Sequence, residues 1–263
     1  MRKTKIICTI GPASESFSML EQLAQAGMNI VRLNMSHGDH TSHAKVIKSI
    51  RTLNKKLPSP IAILMDTQGP EIRTGDIKQE LNLKKNDVIS IVARGEKDVE
   101  STSISVNYED LINDVTIGDM ITVDNGLINL EILSKEDRIM QCRVIDGGIL
   151  KSKRHVNLPG IRVNLPAITE KDKRDVLFSI AQEVDFIALS FVRNAEDVGQ
   201  LRELLGEKVD KIKIISKIED QEGVKNLSAI VDVSDGVMVA RGDLGVEIAI
   251  EKLPRVQRRI IRL

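Results

Sequence analysis

Residues 211–247, KIKIISKIEDQEGVKNLSAIVDVSDGVMVARGDLGVE, restrict the possible folds more than any other stretch. Two short apolar, β-branched runs, residues 212–216 and 236–240, flank a helical pattern over 222–231 with Val224, Leu227 and Ile230/Val231 on one face. Each run stops at charge: Lys217-Ile218-Glu219 after the first, Arg241-Gly242-Asp243 after the second. A strand–helix–strand unit of this length lays its strands parallel, with their C-terminal ends on one edge. That edge is where α/β folds place chemistry. Strand alternation puts Lys217 and Glu219 on the same side. The spacing thus predicts an ammonium, a guanidinium and two carboxylates converging at adjacent strand ends.

The same grammar recurs upstream. Residues 4–10 read as a buried-type strand ending at Gly11-Pro12, with Ser18-x-x-Glu21 as a capping box for the helix that follows. Residues 28–33 form a second strand, and Val46, Ile47, Ile50 and Leu53 the face of a second helix. Residues 61–65 form a third strand running into Asp66-Thr67-Gln68-Gly69-Pro70. The period then changes. Over 70–166 there are short alternating runs at 88–92, 102–106, 120–123, 127–133 and 139–144, with no convincing helix. Asp124-Asn125-Gly126 and Gly147-Gly148 are expected to make hairpin turns. This predicts an antiparallel β domain inserted after the third strand. Helical punctuation resumes at Thr169, giving a helix over 171–182, a strand over 184–191 and a helix over 195–205.

The expected fold class is therefore α/β: residues 1–69 and 167–263 form an incomplete (β/α)₈ barrel of six strands, and 70–166 an inserted β lid. In the last segment, EKLPRVQRRIIRL, Pro254 falls in the first turn of a helix with Val256, Ile260 and Leu263 as its stripe. A closed barrel needs two more strands, so the count predicts a partial polypeptide with an exposed apolar seam, prone to aggregation alone.

Bulk composition narrows the function. Lys+Arg and Asp+Glu both total 38 in 263 residues, so no general polyanion-binding field is expected. With no Trp, one Tyr and four Phe, stacking platforms for single-stranded nucleic acid are not expected either. Cys8 and Cys142 lack zinc or redox spacing. No apolar run reaches the length of a membrane span, and a cytoplasmic globular protein is expected.

The candidate site residues each carry two readings. Glu219 and Asp243 suit a hard divalent cation, or are ion-pair partners of Lys217 and Arg241. Lys217 suits stabilisation of a developing oxyanion, or a structural bridge to Glu219. Beside Arg32, the residues Asn34, Ser36, Asp66 and Thr67 supply a carboxylate, an amide and two hydroxyls, an oxygen-rich set that suits a cation other than zinc or copper, or ordinary capping. His37, His40 and His43 are expected to be solvated residues leading into a helix. GxxxxGK[ST], GxGxxG and GxSxG are all absent. Nucleotide phosphates would then rely on side-chain cations such as Arg73, Lys151, Lys153 and Arg154. The summed expectation is metal-assisted chemistry on an anionic substrate.

The motifs TKIICTIGPAS, MNIVRLNMSHG, MDTQGPEIRTG, VNLPGIRVNLPAITEKD, DFIALSFVR, IISKIEDQEG and DGVMVARGDLGVE, in this order, resemble the pyruvate kinase family of bacterial type. The resemblance implies transfer of the phosphoryl group of phosphoenolpyruvate to ADP, giving pyruvate and ATP, with Mg²⁺ (or Mn²⁺) and K⁺. It implies that Glu219 and Asp243 hold the divalent ion and that Lys217 and Arg32 are catalytic. Arg32, Lys217, Gly242 and Asp243 would bind substrate, and Asn34, His37, Arg73 and Arg154 the nucleotide. K⁺ would sit among Asn34, Ser36, Asp66 and Thr67, with Glu71 as the acidic residue typical of potassium-dependent members. Members are usually homotetramers. Departures are Arg154-His155 for a usual Lys-Gly, Gln68 for Lys, Asn125 for Asp and Ala249 for Pro. A metal-dependent aldolase or lyase acting on pyruvate-like enolates, and a non-catalytic fragment, are the alternatives.

Overall fold

The computed structural model describes residues 3–93, 103–161 and 163–263. Three strand–helix steps open the chain: β1 (Ile7–Thr9), α1 (Phe17–Gln25), β2 (Ile30–Asn34), α2 (His40–Asn54) and β3 (Ala62–Asp66). β1 is shorter than the run 4–10 suggests, and Ile6 and Ile7 are exposed. Helix α1 starts at Ser16, whose hydroxyl accepts from Met19 N–H at 3.3 Å. Ser18 lies inside the helix, so the expected box does not form; Ser16 caps alone and satisfies one orphan donor. Helix α2 begins with a reciprocal box of Asp39 and Ser42.

The inserted segment carries β4 (Leu81–Leu83), β5 (Val88–Ala93), β6 (Ser103–Val106), α3 (Leu111–Asp114), β7 (Met120–Val123), β8 (Ile128–Glu136), β9 (Ile139–Asp146), β10 (Gly148–Leu150) and β11 (Val156–Asn157). The strand expected over 102–106 is described from Ser103, Thr102 lying outside the described residues. Three expectations are corrected here. The segment contains a helical turn, α3, whose Leu111 is fully buried. It is not purely antiparallel, since β5 pairs with β6 in parallel. And Gly147-Gly148 makes no hairpin: β9 pairs with β8 and β5, while β10 crosses to β4. Gly147 is there because a Cβ would lie 2.2 Å from the Leu83 carbonyl oxygen. The β8–β9 hairpin instead turns through Asp137 and Arg138, Asp137 taking φ 47°. Asp124, Asn125 and Gly126 do turn β7 into β8, all at positive φ.

The second half of the parallel sheet follows: α4 (Glu170–Ala181), β12 (Phe186–Leu189), α5 (Ala195–Leu205), β13 (Lys213–Ile218), α6 (Gln221–Lys225), α7 (Leu227–Val233), β14 (Gly236–Val239), α8 (Arg241–Glu247) and α9 (Leu253–Arg262). The single helix expected over 222–231 is two, broken at Asn226, whose side-chain amide donates to Arg193 O at 2.8 Å. In α9, Ile260 is buried and Val256 half-buried, but Leu263 is exposed. Among the described residues no helix is long and apolar enough to cross a membrane.

The sheet order is β1-β2-β3-β12-β13-β14, six strands of a (β/α)₈-type barrel sheet, and a second six-stranded sheet runs β11-β7-β8-β9-β5-β6. The chain divides into two compact units. The first is Met1–Pro70, Ala167–Ile218 and Asn226–Met238; the second is Glu71–Pro166, Glu219–Lys225 and Val239–Leu263. In the first, Leu33, Met65, Ile187 and Ile214 from adjacent strands are buried, as are Ile47, Ile50, Val198 and Leu201 from α2 and α5. In the second, Ile91, Ile104, Ile121, Leu130, Met140 and Val144 share one core.

Candidate active site

Parallel register fixes the site of the first unit. Asn34 at the end of β2 lies opposite Asp66 at the end of β3, Asp66 lies opposite Ala188 of β12, and Leu189 lies opposite Ser216 of β13. Side chains from five neighbouring strands then meet in one rail. Asp66, fully buried, accepts from Arg32 Nε at 2.6 Å on Oδ2. Its Oδ1 lies 3.1 Å from Lys217 Nζ. Lys217 Nζ donates to Ser190 Oγ at 2.7 Å, and Ser190 Oγ donates to Thr67 O at 2.7 Å. Arg32 Nη1 extends the rail to Thr9 Oγ1 at 2.8 Å. A buried carboxylate is tolerable only when paired, and here two cations share it. The rail therefore presents more positive than negative side chains, which suits an anionic ligand.

Beside it, Asn34 Oδ1 accepts from Ser36 N–H at 3.0 Å, and Thr67 Oγ1 from Ser190 N–H at 3.0 Å. Asn34, Ser36, Asp66 and Thr67 thus sit at adjoining strand ends, all with oxygen donors, as a weakly hydrated cation requires. His37 is exposed and its carbonyl lies 2.9 Å from His43 Nε2. His43 is buried, so it is not the solvated residue expected, whereas His40 stacks on Phe178 with Nε2 2.7 Å from Asp175 and keeps its side chain 42% exposed.

The second unit holds the other candidates. Glu219 is buried directly after β13, and Asp243 lies half-buried in the first turn of α8, beside exposed Gly242. Two carboxylates fit a hard divalent ion that completes its shell with water and substrate oxygens. Among the described residues no three His, Cys, Asp or Glu side chains form a metal cage. Arg73 Nε donates to Glu71 Oε2 at 2.7 Å, and Arg154 Nη1 lies 3.5 Å from Asp124 Oδ1. Glu247 is strongly perturbed: burial first, then the Asp220 charge, push its carboxyl up to about 7, against opposing hydrogen bonds from Asn157 and the Gly160 backbone.

Ser190 and Glu247 are functional candidates that the sequence alone does not single out. Ser190 follows β12 at the same level as the other strand-end polar residues, and that position is its only signal. Glu247 gives none, since nothing local marks a glutamate as buried.

A parallel strand–helix sheet of this order, polar at its strand ends and interrupted after β3 by a β-rich insert, defines the (β/α)₈ class of barrel proteins. Within that class, the description "Pyruvate kinase, barrel domain" matches residues 1–263, and the chain belongs to the pyruvate kinase barrel-domain family. It is 51% identical over 265 residues to the pyruvate kinases of Staphylococcus aureus strains USA300, NCTC 8325 / PS 47 and COL. Each alignment covers 100% of this chain and 45% of the relative, so the chain spans under half the length of the relatives it matches.

Proposed function

We propose that this chain supplies the substrate-handling part of a cytoplasmic glycolytic phosphotransferase that converts phosphoenolpyruvate and ADP to pyruvate and ATP. The observation that carries the reading is the Arg32–Asp66–Lys217–Ser190 rail, built on the buried Asp66 carboxylate. Arg32 orients the anionic substrate. As the enol oxygen–phosphorus bond breaks and phosphorus bonds to a terminal ADP oxygen, negative charge collects on the enolate oxygen, where the Lys217 ammonium stabilises it. Carbon then takes a proton to give pyruvate. Ser190 and Asp66 keep Lys217 oriented, at no reorganisation cost during the reaction.

A divalent ion, held by Glu219 and Asp243, would neutralise charge on the phosphoryl oxygens. Gly242 belongs with Asp243 in substrate binding. A potassium ion would be held by Asn34, Ser36, Asp66 and Thr67. Nucleotide contacts fall to Asn34, His37, Arg73 and Arg154, and residues 70–166 act as a lid that excludes water. A homotetramer is the proposed assembly. The test is pyruvate formation by the purified chain, coupled to a reporter enzyme, with Mg²⁺ and K⁺. ADP-dependent turnover supports the reading. Enolate chemistry that proceeds without ADP would replace it with a lyase, and metal-dependent phosphoenolpyruvate binding without turnover would leave a binding fragment.

A further inference from the structure

We propose that His155 is a positioning residue that holds Arg73 ready for the terminal phosphate of a nucleoside diphosphate, an inference that rests on the nucleotide reading of Arg73 above. Thr74 N–H donates to Arg154 O at 2.8 Å, and Val156 N–H donates to Ile72 O at 2.8 Å. Arg73 and His155 form the antiparallel bridge between those two bonds. They are therefore a non-hydrogen-bonded pair, the arrangement in which opposed side chains on one face come closest. Glu71, two residues before Arg73 in extended chain, shares that face.

The backbone at this point is pinned from both sides. Arg73 N–H donates to Asn107 Oδ1 at 2.7 Å, Asn107 N–H to Arg73 O at 3.1 Å, and Asp124 N–H to His155 O at 2.9 Å. What remains to be ordered is the arginine side chain, whose rotamer entropy is among the largest. Its Nε is held by Glu71 and its Nη1 by the Lys153 carbonyl at 3.0 Å. Among the described residues Nη2 makes no hydrogen bond, so one corner of the guanidinium fork is left for an anion.

His155 stands opposite Arg73 across this bridge, where the family resemblance leads to an expectation of glycine. The ring thus confines Arg73 by bulk. Preorganisation of this kind tightens binding by sparing the ordering cost.

A double-mutant cycle on the full chain, read by calorimetric titration with MgADP, tests the proposal. H155A should weaken MgADP binding by about five- to tenfold, within the range of couplings between touching residues, and H155N should recover part of the loss. In an R73A background the same H155A change should alter affinity less than twofold. Binding by H155A within twofold of wild type, or losses that simply multiply in the double variant, would overturn the proposal. Should H155A lose its circular-dichroism signature, H155N in both backgrounds replaces it in the cycle, with a smaller coupling of the same sign expected, and no coupling would overturn the proposal. If the wild-type chain binds no MgADP, the nucleotide reading itself fails. If binding needs Arg73 but ignores His155, only this inference falls.

Discussion

The Lys217 ammonium is the residue on which the proposed chemistry turns, and its surroundings say how to test it. Lys217→Met removes the charge but keeps an unbranched apolar stem. Phosphoenolpyruvate binding should survive largely intact, while turnover falls by roughly 10²-fold or more, as when an oxyanion donor is lost. Retained turnover with lost binding, in parallel rate and calorimetric measurements, would contradict the assignment. Ser190→Ala takes away a hydroxyl that both receives Lys217 and donates to Thr67. It should lower turnover by about tenfold, with little change in substrate binding, since Asp66 still holds the amine. Glu247 offers a pH test. Its folded pKa of about 7 lies above the ordinary 4.5 because burial disfavours the charged form. The unfolded chain therefore releases this proton first, and stability falls as pH rises from about 4.5 to about 7. Relative to Glu247→Gln, the wild-type thermal midpoint should drop progressively between about pH 5 and 7.5. A pH-independent difference would show that Glu247 ionises as freely in the fold as outside it.

At the scale of elements, the start of α4 is the joint to probe. Asp172, fully buried, accepts from Thr169 N–H at 3.0 Å, Thr169 Oγ1 at 2.6 Å and Gly69 N–H at 3.1 Å. Asp172→Ala removes a cap and orphans a buried donor, so a loss of about 2–4 kcal/mol is expected in urea unfolding. How far elements can be read from residues depends on the same physics. β2, β3, β12, β13 and β14 are legible because short apolar runs end in polar or charged residues and alternate with helical patterns. Lys217, Arg32 and Asp66 are legible as strand-end polar residues, though the sharing of Asp66 by both cations is not, because it depends on register between β2, β3 and β13. Gly147 misleads because a glycine needed for close approach looks identical to one needed for a turn. The break at Asn226 is hidden because its partner, the Arg193 carbonyl, is distant in sequence. The parallel β5–β6 pair is likewise a tertiary choice that alternation alone does not encode.

For the molecule as a whole, the two cysteines are one to each compact unit: Cys8 in the first and Cys142 in the second. Cys142 is fully buried, and burial alone pushes its thiol up to about 12. In native buffer Cys8, only partly buried, should react with a thiol reagent well before Cys142. Cys142 labelling should appear only as urea opens its core, and rapid labelling of both in native buffer would contradict the burial. The order in which the chain visits its units has a further consequence. It passes from one to the other after residues 70, 166, 218, 225 and 238. A ribosome that has delivered residue 166 has made every strand of the second sheet, yet that unit still waits for two segments from much later in synthesis. Neither unit can be excised by a single cut, and an engineer swapping one for a homologue's must splice at five seams.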